Sequence, residues 1–180
     1  MSASRNPFET GDRKIIPACL VYLFRECLGG GRDVLMMHRQ GREGDYHSGK
    51  WNGLGGKFEL EESPWQAASR EISEEAGLLV APDRYRWLGM LQFPNFKAHR
   101  AEDWWCTVMT AQLAPEESER IPEGARFSDE GSLHWIPAER LLELNLWEGD
   151  RLFLPKVLAG TPFSGTLWYE GQSVRDHNLA

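Results

Sequence analysis

The stretch GKFELEESPWQAASREISEEAGL, residues 56–78, decides the fold because it holds the clearest helix signal in the chain. Ser63 and Gln66 have the spacing of a capping box, in which each side chain bonds the other residue's backbone amide. Gly77 readily adopts the left-handed backbone conformation that ends many helices. These signals predict a helix that runs from Glu62 to Gly77.

Three glutamates of this helix lie on one side of it. Glu71, Glu74 and Glu75 stand at i, i+3 and i+4, where like charges destabilise a helix by about 0.2–0.5 kcal/mol per pair. Arg70, four residues before Glu74, is the local counter-charge. Taken alone, the pattern describes either a solvated acidic face or a site for a hard divalent cation with oxygen ligands. The glycine-dense segment before the helix favours the cation site.

The composition describes one acidic globular domain. The chain has 180 residues, of which 41% are hydrophobic, and a formal net charge of −7. This length suits a single domain with a sizeable core. The acidic excess disfavours duplex nucleic acid as a partner, since such binding needs lysine and arginine to displace counterions. The longest apolar run, residues 15–24, is too short for a membrane span of about 20 residues.

The cysteines indicate a reducing compartment. Cys19, Cys27 and Cys106 are an odd number and form no C-x-x-C pair. Cys19 and Cys106 lie in apolar, strand-like runs, which predicts buried free thiols and a cytoplasmic location.

The remaining pattern mixes strands with a few helices. Residues 1–14 are expected to form a flexible arm, and residues 15–180 a single α+β domain. Hairpins are predicted over residues 16–24 with 34–38 and, at the end of the chain, over 163–169 with 173–178. Single strands are predicted at 85–92, 104–113 and 133–136, helical segments at 137–146 and 153–158, and a polar loop at 94–103.

Residues 56–78 match every fixed position of the Nudix box, G-x5-E-x7-R-E-U-x-E-E-x-G-U, where U is aliphatic. The chain is therefore identified as resembling the Nudix hydrolases, which cleave a nucleoside diphosphate linked to another group. The resemblance implies Mg²⁺ or Mn²⁺ as cofactor and a Nudix-type α/β/α sandwich with a mixed central sheet. It also implies a nucleotide substrate. The short apolar run argues against a membrane partner, and a monomer or homodimer is expected.

The resemblance also implies roles for the box residues. Glu71 and Glu75 would be the principal metal ligands, and Glu74 a further ligand or the general base. The carbonyl of Gly55 would join the metal shell, and Arg70 would orient the carboxylates through its planar fork.

The resemblance also implies roles for two further residues within the box. Glu62 would brace the loop against Arg70. Lys57 would either meet a phosphate or remain solvated.

Segments outside the box resemble the mammalian-type 8-oxo-dGTP diphosphatases, which hydrolyse oxidised purine nucleoside triphosphates to a monophosphate and pyrophosphate. The stretch W-N-G-L-G-G-K at residues 51–57 resembles their W-N-G-F-G-G-K, and it makes Asn52 a purine contact. The S-D-E at residues 128–130 resembles theirs, which implies that Glu130 is a fourth carboxylate candidate for the metal. The segment that begins at residue 146 implies that Trp147 stacks on the base and that Asp150 reads the base edge.

This chain departs from those enzymes at one position, and the resemblance is less specific at two others. Those enzymes carry two adjacent aspartates, whereas this chain has Gly149 before Asp150, which should narrow or shift the choice of purine unless Glu148 substitutes. Phe93 is either a pocket wall or a core residue, and Arg39 stands where those enzymes have a pocket lysine.

Two alternative functions remain open at this point. Pro94 lies 16 residues beyond Leu78, a spacing associated with pyrophosphatases that act on ADP-ribose or another nucleoside diphosphate sugar. A non-hydrolytic nucleotide-sensing module is the second alternative, although such modules commonly lose a carboxylate of the box and none is missing here.

Overall fold

This computed structural model describes residues 6–27, 29–40 and 48–180 of the chain. Within them, eight strands and three α-helices follow one another, with short 3₁₀ helices at Pro82–Arg84, Ala98–Arg100 and Ala138–Glu143. The strands are β1 Lys14–Glu26, β2 Arg32–Arg39, β3 Trp51–Asn52, β4 Arg86–Lys97, β5 Glu102–Gln112, β6 Gly131–Pro137, β7 Phe163–Glu170 and β8 Ser173–Leu179. The helices are α1 Pro64–Ala76, α2 Pro115–Ser118 and α3 Asp150–Ala159.

The strands form one mixed sheet in the order β3-β2-β1-β5-β4-β7-β8, and β6 pairs with β2. Two pairs are parallel: β1 with β5, in register from Lys14 opposite Glu102 to Phe24 opposite Gln112, and β4 with β7. The other pairs are antiparallel. The sheet thus brings the first strand beside a strand encoded far downstream.

Apolar side chains fill both faces of this sheet. In β1, Val21 and Leu23 belong to the core cluster that also holds residues of α1, whereas Tyr22 and Phe24 belong to the cluster that holds residues of α3. This alternation follows from the two-residue period of a strand. It also explains why β1 reads as a continuous apolar run, since both of its faces are buried. The sheet lies between α1 and α3, so the predicted α/β/α sandwich is confirmed.

Several local predictions are confirmed. Helix α1 has Ser63 as N-cap, with both bonds of the capping box to Gln66, and ends at Gly77 with a φ of 64°. The first and last hairpins form as antiparallel pairs. All three cysteines are free thiols, and Cys19 and Cys106 are buried.

Other boundaries differ from the predictions. The polar stretch 94–103 is not a loop throughout, because β4 and β5 extend into it. The Asp103 carboxylate accepts the backbone N–H of Asn95 at 2.5 Å and pairs with Arg13, so polar groups here are bonded within the sheet rather than solvated.

The two minor helical segments and the N-terminal arm also change. Residues 137–146 form only a short 3₁₀ helix, and the helix predicted at 153–158 already begins at Asp150. Strand β1 begins at Lys14, the last residue of the predicted arm, while residues 1–5 lie outside the described part of the chain. Among the described residues, no helix combines the length and apolar character needed to cross a bilayer.

Candidate active site

A glycine-containing segment runs antiparallel to the first half of β1 and forms one wall of the site. The amide of Val21 donates to the carbonyl of Leu54 at 2.7 Å, and the amide of Cys19 donates to the carbonyl of Gly56 at 2.8 Å. Gly55, between them, has a φ of 128°, and a Cβ there would lie 2.3 Å from the Cys19 carbonyl oxygen. Position 55 therefore accepts only glycine, because the backbone conformation and the close approach both exclude a side chain.

Helix α1 places its carboxylates against this segment. The Gly55 amide donates to Glu75 Oε2 at 2.7 Å, and Glu75 is only 5% exposed. A Cβ at Gly56 would lie 2.4 Å from Glu71 Oε1, so this carboxylate also rests on glycine backbone. Glu74, one position further round the helix, remains exposed. The two glycines thus admit two of the three helix carboxylates to the bottom of one site.

Arg70 donates hydrogen bonds to three glutamates of the box and to one backbone carbonyl. Its Nε and Nη2 donate to the two oxygens of Glu62 at 2.8 and 3.1 Å, and Nη1 donates to Glu71 at 2.9 Å and to Glu74 at 3.2 Å. Nη2 also donates to the Lys57 carbonyl at 2.8 Å. The carboxylates around it raise the Arg70 pKa far above its ordinary value. The structure therefore agrees with the prediction that Glu62 braces this loop, since a planar fork can tie one carboxylate to two others.

Glu130 reaches the same site from the turn before β6. Its carboxylate pairs with Arg39 at the end of β2, and the Gln40 amide donates to its carbonyl at 3.2 Å. Arg39 Nε is buried and has no hydrogen-bond partner among the described residues. Arg39 is thus held at the site by its guanidinium contact with Glu130.

The carboxylates create an environment that favours positive charge. Burial raises the pKa of Glu75 to about 8, and the charges of Glu130 and Glu71 add to this shift against the Gly55 amide. Burial also raises the pKa of Glu71, against the opposing bond from Arg70. Acids that disfavour one another's ionised form in this way are stabilised by a nearby cation.

The donor set fits a hard divalent ion. Oxygen atoms from Glu71, Glu75, Glu130 and the Gly55 carbonyl, with the exposed Glu74, are the ligand type that Mg²⁺ and Mn²⁺ prefer. Within residues 6–27, 29–40 and 48–180, no three acidic, histidine or cysteine side chains are already gathered as a metal cluster. Instead, a protein donor bonds each of the Glu71, Glu75 and Glu130 carboxylates.

One cleft of about 630 Å³ contains every residue predicted for the site. Its acidic end holds the α1 carboxylates, Arg70, Lys57, Arg39 and Glu130, and its other end is mainly aromatic. We call the first the carboxylate end and the second the aromatic end, which comprises Asn52, Phe93, Phe96, Trp104, Trp147, Asp150 and Tyr169. The cleft therefore joins the two groups of residues that were predicted separately.

The predicted base contacts lie at the aromatic end. Trp147 is 7% exposed, and Lys50 Nζ lies 5.2 Å from its ring centre. Asn52 Oδ1 is buried without a hydrogen-bond partner among the described residues. Desolvation raises the pKa of Asp150 to about 7, against the charges of Lys50 and Arg151. A ligand that carries an N–H would satisfy the orphaned oxygen of Asn52.

Phe93 lines the cleft and also packs against the core cluster that holds residues of α3, so it is both a wall of the cleft and a core residue. Lys57 Nζ lies 5.3 Å from the Trp104 ring centre, at the junction of the two ends. Glu148 does not take the place of the missing aspartate, because it is absent from the cleft lining and its carboxylate accepts the Val174 amide at 2.7 Å.

The sequence does not predict Phe96, Lys97, Trp104 and Tyr169 as site residues, although all of them line the cleft. Phe96 and Lys97 belonged to the stretch predicted as a loop. The density of aromatic residues in β4 and β5 is a signal that points to Phe96 and Trp104, whereas no such signal points to Lys97 or to Tyr169 in β7.

A family model for the NUDIX domain matches residues 15–157. The chain belongs to the Nudix family. Curated relatives of this Nudix chain include the oxidized purine nucleoside triphosphate hydrolase of Danio rerio, 28% identical over 150 residues that cover 80% of this chain and 83% of the relative. The protein of the same name from Mus musculus is 26% identical over 144 residues, with 78% and 81% covered. The chain is accordingly a Nudix pyrophosphohydrolase that acts on nucleotide substrates, and members of the family generally use divalent cations.

Solved structures show the same Nudix fold. The MutT protein from Bacillus halodurans superposes with a TM-score of 0.71 at 23% identity and covers 91% of this chain and 97% of its own. The NUDIX domain of Shewanella oneidensis NrtR, complexed with ADP ribose, gives a TM-score of 0.59 at 15% identity, with 88% and 92% covered.

Proposed function

We propose that this Nudix enzyme hydrolyses a purine nucleoside triphosphate, in particular an oxidised purine deoxynucleotide, to the monophosphate and pyrophosphate with Mg²⁺ or Mn²⁺. The observation that carries this proposal is the single cleft that joins the carboxylate end to the aromatic end. A nucleoside triphosphate has the same polarity, with a chain of anionic phosphates at one end and a flat base at the other. The printed name of the two relatives supports the same substrate class.

Glu71, Glu75, Glu130 and the Gly55 carbonyl would hold the cation, with Glu74 as a further ligand or the base. The cation, when bound, neutralises phosphate charge and activates water for attack on phosphorus. Glu130 would leave Arg39 to take part, and this exchange frees the Arg39 guanidinium to meet a phosphate. The cation would then neutralise Glu130 and a phosphate would neutralise Arg39, in place of the present ion pair.

The chain's own residues do the remaining work at the carboxylate end. Arg70 keeps Glu71 and Glu74 in fixed orientations through bonds of 2.9 and 3.2 Å, so their oxygens need little reorganisation. Glu74 and Glu75 are the candidates to accept the proton of the attacking water. Lys57, beside the Trp104 ring, would bind the phosphate chain where the two ends meet.

The aromatic end would hold the base. Trp147 would stack on its face, Phe93 would line the opposite wall, and Asn52 would accept an N–H of the purine edge through its orphaned oxygen. Asp150, held as a neutral acid up to about pH 7, would both donate and accept at that edge. Such a site gains selectivity because buried polar groups are left unpaired by the wrong base.

The test is a product-release assay with Mg²⁺ and then Mn²⁺ over 8-oxo-dGTP, 2-hydroxy-dATP, dGTP, dATP, ADP-ribose and diadenosine polyphosphates. We expect an oxidised purine triphosphate to give the highest kcat/KM, pyrophosphate as the second product, and loss of turnover with a chelator. The proposal fails if ADP-ribose exceeds every purine triphosphate by about tenfold or more in kcat/KM.

A further inference from the structure

Gly149, directly before Asp150, has no backbone reason to be glycine. Its φ of −64° and ψ of −31° are helical and open to any residue. What excludes a side chain is Tyr169, because a Cβ at position 149 would lie 2.3 Å from the tyrosine hydroxyl oxygen. The Gly149 amide also donates to that hydroxyl at 2.9 Å. The hydroxyl therefore stands where a residue-149 side chain would begin.

The Tyr169 ring is fixed by its neighbours in the aromatic end. It meets Trp147 edge-on at 6.4 Å and 84°, Phe96 at 6.1 Å and Phe93 at 6.3 Å between ring centres. Three ring contacts and the amide bond leave the side chain little rotational freedom. Tyr169 and Asp150 both line the cleft, and the hydroxyl accepts the amide of the residue directly before Asp150, so the hydroxyl lies beside the backbone that carries the Asp150 side chain.

The acids of the cleft divide clearly between its two ends. Of the described residues that line the cleft, Glu71, Glu74, Glu75 and Glu130 belong to the carboxylate end, and Glu59 lies 4.0 Å from Arg70. That leaves Asp150 beside the aromatic rings, since Glu148 bonds the Val174 amide instead.

We propose that Tyr169 is a specificity-determining residue whose hydroxyl, anchored by the Gly149 amide, fills the place of a second acid and leaves Asp150 to read the purine edge alone. This inference rests on the proposed function. A tyrosine hydroxyl is uncharged at neutral pH, so it cannot trade a proton with Asp150 as a second carboxyl would. The wall then offers one fixed pattern of donors and acceptors, and the enzyme discriminates among purine edges more strongly than a two-acid site.

The structural half of the proposal is tested by a double-mutant cycle on the free energy of unfolding, measured with urea. Gly149→Ala is expected to destabilise the protein, because its methyl group would collide with the hydroxyl. Most of that loss should disappear in the Tyr169→Phe background, since the nearest remaining atoms, Leu167 Cδ1 at 3.0 Å and Tyr169 Cζ at 3.1 Å, need only small shifts. Additive effects of the two substitutions would overturn the claim that the hydroxyl occupies this place.

The functional half is tested by calorimetric affinities for dGMP, 8-oxo-dGMP, dAMP and 2-hydroxy-dAMP. Tyr169→Phe should change the ratios among these affinities by about threefold to tenfold, through loss of one edge contact. Gly149→Asp combined with Tyr169→Phe should compress the spread of affinities by about tenfold, because two carboxyls can exchange a proton. Ratios that stay within about twofold of the wild type in both variants would overturn the proposal.

Tyr85→Phe is the matched control. The Tyr85 hydroxyl donates to the Ala68 carbonyl at 3.4 Å in the α1-side core, outside the cleft, so this variant should alter stability without altering the ratios. Monophosphates bind whether or not triphosphates are hydrolysed, which separates the two proposals. Tyr169-dependent ratios without triphosphate turnover would refute only the proposed function, whereas turnover with Tyr169-independent ratios would refute only this inference.

Discussion

The two ends of the cleft are built in different ways. The carboxylate end comes mostly from adjacent parts of the chain, since the glycine segment and α1 lie within residues 54–76 and bond each other directly. The aromatic end is gathered from five elements: β3, β4, β5, the start of α3 and β7. Spacing along the chain therefore determines the geometry of the carboxylate end, whereas the register of the sheet determines the geometry of the aromatic end.

This difference predicts that substitutions at the carboxylate end change turnover and that those at the aromatic end change affinity. Glu75→Gln should give the largest effect, a fall in kcat of about 100-fold or more, because it removes a charge from the bottom of the site. The folded state should persist, since an amide fits the same space. Steady-state kinetics and circular dichroism check both points, with the exposed Glu119→Gln as control. A rate near that of the wild type would refute a metal-binding or catalytic role for Glu75.

Arg70→Lys should rank second, with kcat lowered by about tenfold to 100-fold. An ammonium group cannot hold Glu62 in a fork and reach Glu71 and Glu74 at the same time, so the carboxylates lose orientation. Mn²⁺ affinity, followed by electron paramagnetic resonance, should fall as well. Arg84→Lys is the control, because Arg84 makes a similar forked pair with Glu117 away from the cleft. Equal effects of the two substitutions on turnover would contradict the orienting role.

At the aromatic end, Trp147→Ala should raise KM and change kcat less, because stacking on a base contributes about 1–3 kcal/mol. The exposed Trp65, paired with Trp87 on the surface, provides the control Trp65→Ala. If KM is unchanged, Trp147 is a core residue and the contrast between the two ends breaks down.

The smallest effect concerns stability at the aromatic end. The Asp150 pKa of about 7 lies above the value of about 3.9 in an unfolded chain. Below about pH 4 both states hold the proton and folding carries no penalty, whereas the penalty grows as the pH rises to about 7 and is then constant. Asp150→Asn should therefore stabilise the protein by on the order of 2 kcal/mol at pH 8 and by little at pH 4. Urea unfolding at both pH values measures this, and a pH-independent difference would exclude the raised pKa as its cause.

The same contrast explains how much the sequence predicts. The capped helix and its one-sided glutamates follow from spacing over one or two turns, and the structure agrees with that geometry, whereas the bracing of Arg70 by Glu62 was implied by the resemblance. Asn52 and Asp150 were placed by resemblance rather than by derivation. Their meeting in one cleft depends on strand pairings across the whole chain.

The errors have physical causes as well. Residues 94–97 open with Pro94 and Asn95, which favour a loop, yet they extend β4 because the Asp103 carboxylate accepts the Asn95 amide across the turn. The function of Tyr169 could not be predicted, since it depends on the absence of a side chain at Gly149, more than a whole helix earlier. A side chain that fills the space left by a distant glycine gives no periodic pattern in a single sequence.

The parallel register of β1 with β5 has a consequence for the order of folding. Helix α1 can form early, since its caps and turns are local, whereas the half of β1 that supports Gly55 pairs with β5, a strand encoded after the Nudix box. We expect pulse-labelled hydrogen exchange to show protected α1 amides before protected β1 and β5 amides. The carboxylates would then pass through a stage in which the helix is formed but the glycine backbone is not yet against them, so cation affinity would be the last property acquired during refolding.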